Sequence, residues 1–166
     1  MKMKYVFISM SVCLFDLLSK FIVTNTMREN ESILVLGNFL KFTLVYNYGT
    51  TFGLFQNYAP YFAISAMKFI LIIILLFVFL NISKIIKKPN LQTISRICIL
   101  FVIGGSLGNI IDRLLDKRVT DFIDIGINGY RWHIFNLADA FQFVGGLTFL
   151  FLLIWENWAP KKLRFV

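Results

Sequence analysis

Carboxylates set among apolar residues are the first chemical signal in this chain, because a charge in or beside a bilayer is costly and is usually kept for a purpose. Asp139 sits at the expected start of an apolar segment, three residues after Asn136. The two could share one helical face, or one of them could cap the helix; position alone favours neither reading. Asp121 lies within Val119-Thr120-Asp121-Phe122-Ile123-Asp124, an acid embedded in β-forming residues. By strand alternation Asp124 suits a solvated position better than Asp121, a weak distinction. Asn109, Asp112 and Arg113 end another apolar run at helical spacing, with Arg113 suited to holding a carboxylate. Asp16 and Lys20 stand at i, i+4 in the favourable order, so either they pair or one of them serves a site.

Other signals are weaker. Gly104-Gly105-Ser106-Leu107-Gly108 fits the G-x-S-x-G pattern, but a nucleophile elbow needs a strand-to-helix turn and this run falls inside an apolar helix. Gly104 and Gly108 read instead as a small-residue packing face, as do Gly145 and Gly146. His133, the only histidine, reads as a loop residue beside Trp132. Lys68 has no partner nameable from sequence, and snorkelling to the outer surface is the default for it. Cys13 and Cys98 lie in apolar stretches, giving no disulfide framework and no thiolate metal cage. No metal site is expected.

The elements that position these residues follow from hydropathy. Of 166 residues 58% are hydrophobic, 19 are Phe, and only 16% are charged; mean hydropathy is +0.73. That excludes collagen-like, disordered and small disulfide-rich classes and indicates an integral membrane protein. Four segments are long and apolar enough to span, about Tyr5 to Val23, Pro60 to Ile82, Thr93 to Ile111 and Asp139 to Trp158. The first lacks a small-residue cleavage site and carries Asp16 and Lys20, so it is expected to be retained. Between spans one and two, Ser32 to Leu36 and Phe39 to Tyr46 flank Gly37-Asn38, a hairpin signal. Between spans three and four, Val119 to Ile125 and Tyr130 to Phe135 flank Gly126 and Gly129. The expected fold is mainly α, four transmembrane helices with a small β platform and loops on the extracytoplasmic side, with Tyr58, Tyr130 and Trp132 as interfacial aromatics. It reads as one membrane-embedded domain over residues 1–166.

Charge sets the orientation. The amino end, the link between spans two and three, and the tail hold nine basic residues against Glu156 alone, while the remaining eight basic and eight acidic residues cancel. The whole net charge of +8 thus lies on one side, which the positive-inside rule makes cytoplasmic, with both termini inside. The basic balance reflects topology and contact with membrane lipids, so no nucleic-acid partner is expected.

Five blocks then carry a resemblance. Asp16-Leu17-Leu18-Ser19-Lys20, Asn47-Tyr48-Gly49-Thr50-Thr51-Phe52-Gly53, Gly104 through Arg113, Val119-Thr120-Asp121-Phe122 and Phe135-Asn136-Leu137-Ala138-Asp139 resemble, in order, the motifs of bacterial lipoprotein signal peptidases (signal peptidase II). One departure is visible: Thr50 and Thr51 stand where the family commonly has small alanines. The resemblance implies an aspartic endopeptidase of the bacterial cytoplasmic membrane that removes signal peptides from diacylglyceryl-modified prolipoproteins, cutting before the lipid-modified cysteine. It implies Asp121 and Asp139 as the catalytic pair, with Asn47, Gly49, Asn109, Arg113 and Asn136 around the site. Asp16, Lys20 and Asp112 would be structural or substrate-positioning groups, no cofactor would be needed, and globomycin-like cyclic peptides would inhibit. Elementary chemistry agrees, since two carboxyls that share a proton can act as acid and base together.

Two other classes compete. A small transporter would want an acid near the bilayer midplane on a translocation path, whereas these acids gather at one edge. A scaffold would explain the glycines and the β platform but not several acids beside apolar spans. Cleavage of a lipidated precursor by the purified protein discriminates among the three. The charge pattern itself predicts that reporters fused after Leu91 and Val166 read cytoplasmic and one near Asn38 reads external; an external signal after Leu91 would overturn the four-span topology.

Overall fold

A computed structural model describes residues 3–49 and 60–158. Four helices in it are long and apolar enough to cross a membrane: α1 (Met3–Thr26), α2 (Tyr61–Leu80), α4 (Pro89–Asp116) and α5 (Leu137–Trp158). A single turn, α3 (Ile82–Ile85), joins α2 to α4. Thr50, Thr51, Phe52, Gly53, Tyr58 and the basic tail lie outside the described residues.

Helix α4 is longer than hydropathy alone indicates. Pro89 at its first turn suits a position where the N–H would be unbonded anyway. At the other end it runs past Ile111 to Asp116, stopping at Lys117 in the left-handed conformation with φ 60°. Asp112 and Arg113 therefore stand on regular helix. α4 is also the hub of the bundle, packing against α1, α2 and α5, and its small residues make that contact possible. A Cβ on Gly104 would come within 2.6 Å of the Ser9 carbonyl of α1, and one on Gly108 within 2.5 Å of the Asp16 carboxylate. The small-residue face expected at Gly104 and Gly108 is thus the α1 seam. Gly145 meets the Cys98 carbonyl of α4 in the same way, whereas Gly146 faces open space and has no such role.

The segments after α1 and after α4 form one antiparallel sheet in the order β1 (Ser32–Leu36), β2 (Leu40–Asn47), β3 (Val119–Ile127), β4 (Tyr130–Arg131). The first hairpin turns at Gly37, φ 52°. The second turns at Asn128-Gly129 with φ 51° and 87°, the two positive values of a tight primed turn, which the strand pair Ile127 and Tyr130 closes. Expected strand Tyr130 to Phe135 is shorter than its composition suggests: after Arg131 it survives only as a bridge between Phe135 and Ile123.

Between β2 and β3 the register steps from Phe42 opposite Ile123 to Val45 opposite Asp121, so β2 carries one extra residue. Leu44 lies in that bulge. Its N–H and C=O are taken by Glu31 and Asn30 in the connection after α1, and its side chain is buried with Val23, Met27 and Phe122. This small apolar cluster seats the sheet on the end of α1, directly beside Asp121.

Candidate active site

Lys20 is the electrostatic centre of the buried polar layer. Its Nζ meets Asp16 Oδ2 at 2.8 Å, Asn109 Oδ1 at 2.8 Å and Asp112 Oδ2 at 3.3 Å. The Asn109 contact is a hydrogen bond, and the two carboxylate contacts are ion pairs. Asp16 and Lys20 do pair, and the pair reaches further than its own helix. Asp16 Oδ1 accepts the Ala138 N–H at 2.8 Å, and Asp112 Oδ2 accepts the Thr120 N–H at 2.7 Å. The first bond fixes the start of α5; the second fixes the start of β3.

Asn136 then joins the two strongest candidate acids. Its Oδ1 accepts the Asp139 N–H at 2.9 Å, which makes Asn136 the cap of α5 and puts Asp139 in the first turn. Capping falls to Asn136, so the carboxylate of Asp139 is left for other contacts. The Nδ2 of Asn136 donates to Asp121 Oδ1 at 2.6 Å and to Asn109 Oδ1 at 3.1 Å. Asn109 in turn donates to Asp139 Oδ1 at 2.9 Å. On the other side, Asn47 Nδ2 donates to Asp121 Oδ2 at 3.0 Å while its Oδ1 accepts the Gly49 N–H at 2.9 Å.

Burial raises the Asp121 carboxyl from its ordinary value to about 7, and the nearby charge of Asp139 adds to the effect; Asn47, Lys20 and Asn136 oppose it. A carboxyl poised there can hold a proton at neutral pH while its neighbour is ionised, giving an acid and a base in one site. Asp139 also borders an apolar groove of about 560 Å³ between the second hairpin and α5, lined by Ile125, Ile127, Trp132, Phe135 and Phe143.

Other expectations change. Arg113 is 2% exposed, but its Nη2 donates to the Gly49 carbonyl at 2.5 Å, with no carboxylate hydrogen bond among the described residues. It holds the loop after β2 in place and supplies positive charge beside Asp121, Asp112 and Asp139. Asp124 is not solvated. Arg131 clamps it at 2.5 Å through Nε, Thr43 donates to it at 3.0 Å, and it is 5% exposed. Alternation failed because side chains from β2 and β4 cover that face too. Ser106 is fully buried and donates to Gln142 Oε1 at 3.2 Å, while His133 is exposed on its loop. A serine-nucleophile arrangement is not what these residues form.

Two residues near the site are not among those expected to form it. Gln142, one turn after Asp139, contacts Asp139 Oδ1 at 3.5 Å. Lys68 stands on the inward stripe of α2, between buried Ile64 and Ile72, within electrostatic reach of Asp139 and Asp121. Its spacing from Ile64 and Ile72 was the available clue.

Comparison with known proteins identifies the family. The family model for signal peptidase (SPase) II matches residues 8–155. A lipoprotein signal peptidase of Alteromonas mediterranea is 32% identical over 162 residues, covering 96% of this chain and 85% of that protein. One from Staphylococcus aureus is 32% identical over 157 residues, covering 95% and 91%. Two solved bacterial membrane enzymes, each 30% identical, superpose with TM-scores of 0.83 and 0.77; the first covers 96% of this chain and 92% of its own, the second 91% and 92%.

The Lys20 hub predicts strong coupling. Asp16→Ala or Lys20→Ala breaks a buried pair and should each cost roughly 3–5 kcal/mol, while the double variant should fall short of the sum by about 0.5–3 kcal/mol in a double-mutant cycle of thermal stability. Additive costs would show that the pair does not act together. With matching sequence, matching architecture and a continuous polar layer, the chain belongs to the signal peptidase II family of aspartic peptidases.

Proposed function

We propose that the protein removes signal peptides from prolipoproteins, cutting before the lipid-modified cysteine, by attack of a water activated between Asp121 and Asp139. The observation that carries this reading is the side chain of Asn136, which bonds Asp121 through Nδ2 and the backbone of Asp139 through Oδ1. One amide thereby ties an acid from the sheet to an acid from a membrane helix.

In this mechanism Asp121 holds the proton and Asp139 is ionised. Asp139 lies in the first turn of α5, where the positive end of the helix favours negative charge, and the Asn109 amide donates to it. Its carboxylate takes a proton from water as the oxygen attacks the scissile carbonyl, while Asp121 donates its proton to the developing oxyanion. Collapse returns that proton to Asp121 and passes the other from Asp139 to the departing amine, restoring the starting state. The apolar groove beside Asp139 suits a substrate that arrives from the lipid. Asn47 and Asn136 orient Asp121, and Asn109 orients Asp139. Lys20, Asp16 and Asp112 hold the helices that carry them.

The charge asymmetry supports a multi-pass protein of the bacterial cytoplasmic membrane with both termini inside and the acids near the extracytoplasmic face. A cyclic peptide such as globomycin, seated against the same acids, would block cleavage.

Asp121→Asn and Asp139→Asn keep size and much of the hydrogen bonding but cannot exchange a proton. Each should lower cleavage of a lipidated precursor roughly 10²- to 10⁴-fold, and the double variant should be little worse because the pair acts as a unit. The pH dependence of stability gives an independent sign. A carboxyl whose folded value is raised binds more protons folded than unfolded, so its contribution to stability falls as pH rises from about 4 to about 7. Asp121→Asn should therefore lose activity yet melt higher than the parent at pH 8, with the gap closing by pH 4. Near-parental cleavage by either well-expressed variant would refute the dyad.

A further inference from the structure

Lys68 is a lysine that the mechanism above does not use, set in the apolar face of a membrane helix. It lies on α2 four residues after Ile64, which is 1% exposed, and four before Ile72, which is 6% exposed, so its side chain starts on the face that packs against α4. Depth can be compared along the helices. Lys68 is seven residues from the outer end of α2, Asn109 seven from the end of α4, and Lys20 six from the end of α1. At 1.5 Å per residue each is about 10 Å from its helix end. Three helices thus bring Lys20, Asn109 and Lys68 to one layer, and Asp139 enters that layer from α5 through its bond with Asn109.

The charged groups around Lys68 are not equivalent. Lys20 contacts Asp16, Asn109 and Asp112, and its charge opposes that of Lys68. Arg113 repels Lys68, while Asp139 attracts it most strongly and Asp121 less so. Asp16 and Asp112 both contact Lys20. No hydrogen bond or ion pair of Lys68 occurs among the described residues, and the groups whose field favours its ammonium are Asp139 and Asp121.

We infer that Lys68 is a positioning residue that places the negative charge of the aspartate pair on Asp139, leaving the proton on Asp121. It touches neither the attacking water nor the scissile bond. Its effect is to fix which acid is the base and to keep the singly protonated pair available at lower pH than two bare carboxylates would allow. This rests on the aspartate-pair reading of the site.

The test is the pH dependence of kcat/KM for a lipidated precursor, with the full-length protein in lipid vesicles. Lys68→Met removes the charge and keeps an unbranched apolar stem; Lys68→Arg keeps the charge. In Lys68→Met the acidic limb should move upward by roughly one unit, so that activity falls most below neutrality, and Lys68→Arg should restore the parental limb. Lys68→Gln provides a second neutral variant. A superimposable profile in a folded neutral variant, whatever its maximum rate, would overturn the proposal and return Lys68 to a lipid-facing role. Failure of both neutral variants to fold would make Lys68 structural and also overturn it. A parental protein that does not cleave, or Asp121→Asn that cleaves normally, would instead refute the underlying reading.

Discussion

The side chain of Asn136 is the constraint on which the site depends. A primary amide has an acceptor and two donors at fixed angles, and here each is committed: Oδ1 caps α5 at the Asp139 N–H, and Nδ2 reaches Asp121 and Asn109. The geometry works only if the sheet, the end of α4 and the start of α5 converge within hydrogen-bond distance of one residue. Asn136 is fully buried, so an unmade bond would carry the full desolvation cost of the lost partner. The same amide therefore stabilises the junction and sets the relation between the two acids.

Convergence at Asn136 is arranged from below by charge and from above by the sheet. Lys20 draws Asp16, Asn109 and Asp112 together, and the two acids accept backbone N–H groups that begin α5 and β3. Burying such charges is costly unless each is paired and bonded. Gly108 lets the Asp16 carboxylate approach α4, so a missing side chain on one helix accommodates the carboxylate on another. From above, the Leu44 bulge seats the sheet on α1, and the Arg131 clamp on Asp124, with a bond to the Asn38 carbonyl, ties the second hairpin to the first.

Much of this was legible in the sequence, for physical reasons that also explain the misses. Spans and hairpins are local: apolar length gave the helices, and Gly37 marked the first turn. The second hairpin turn lies at Asn128-Gly129, a turn dipeptide between the two β-forming runs. The Asp16–Lys20 pair follows from helical spacing alone. Asp121 and Asp139 could be singled out by type and context, but their link through Asn136 could not, because it depends on the β2–β3 pairing and its one-residue bulge. Alternation misassigned Asp124 since both faces of β3 are covered. For Lys68, hydropathy alone points to snorkelling, and only the packing of α2 on α4 places it on an inward face. Gly146 had the right type for a packing face on a helix but the wrong azimuth.

The central claim is that Asp121 carries a proton beside an ionised Asp139 at neutral pH. Infrared difference spectra of the carboxylic-acid C=O stretch, recorded on the parent and on Asp121→Asn across pH 4 to 9, read that proton directly. The account predicts a band in the parent that disappears with a midpoint at about 7 and is missing from Asp121→Asn. A band that titrates near 4, or one that persists unchanged in Asp121→Asn, would contradict it.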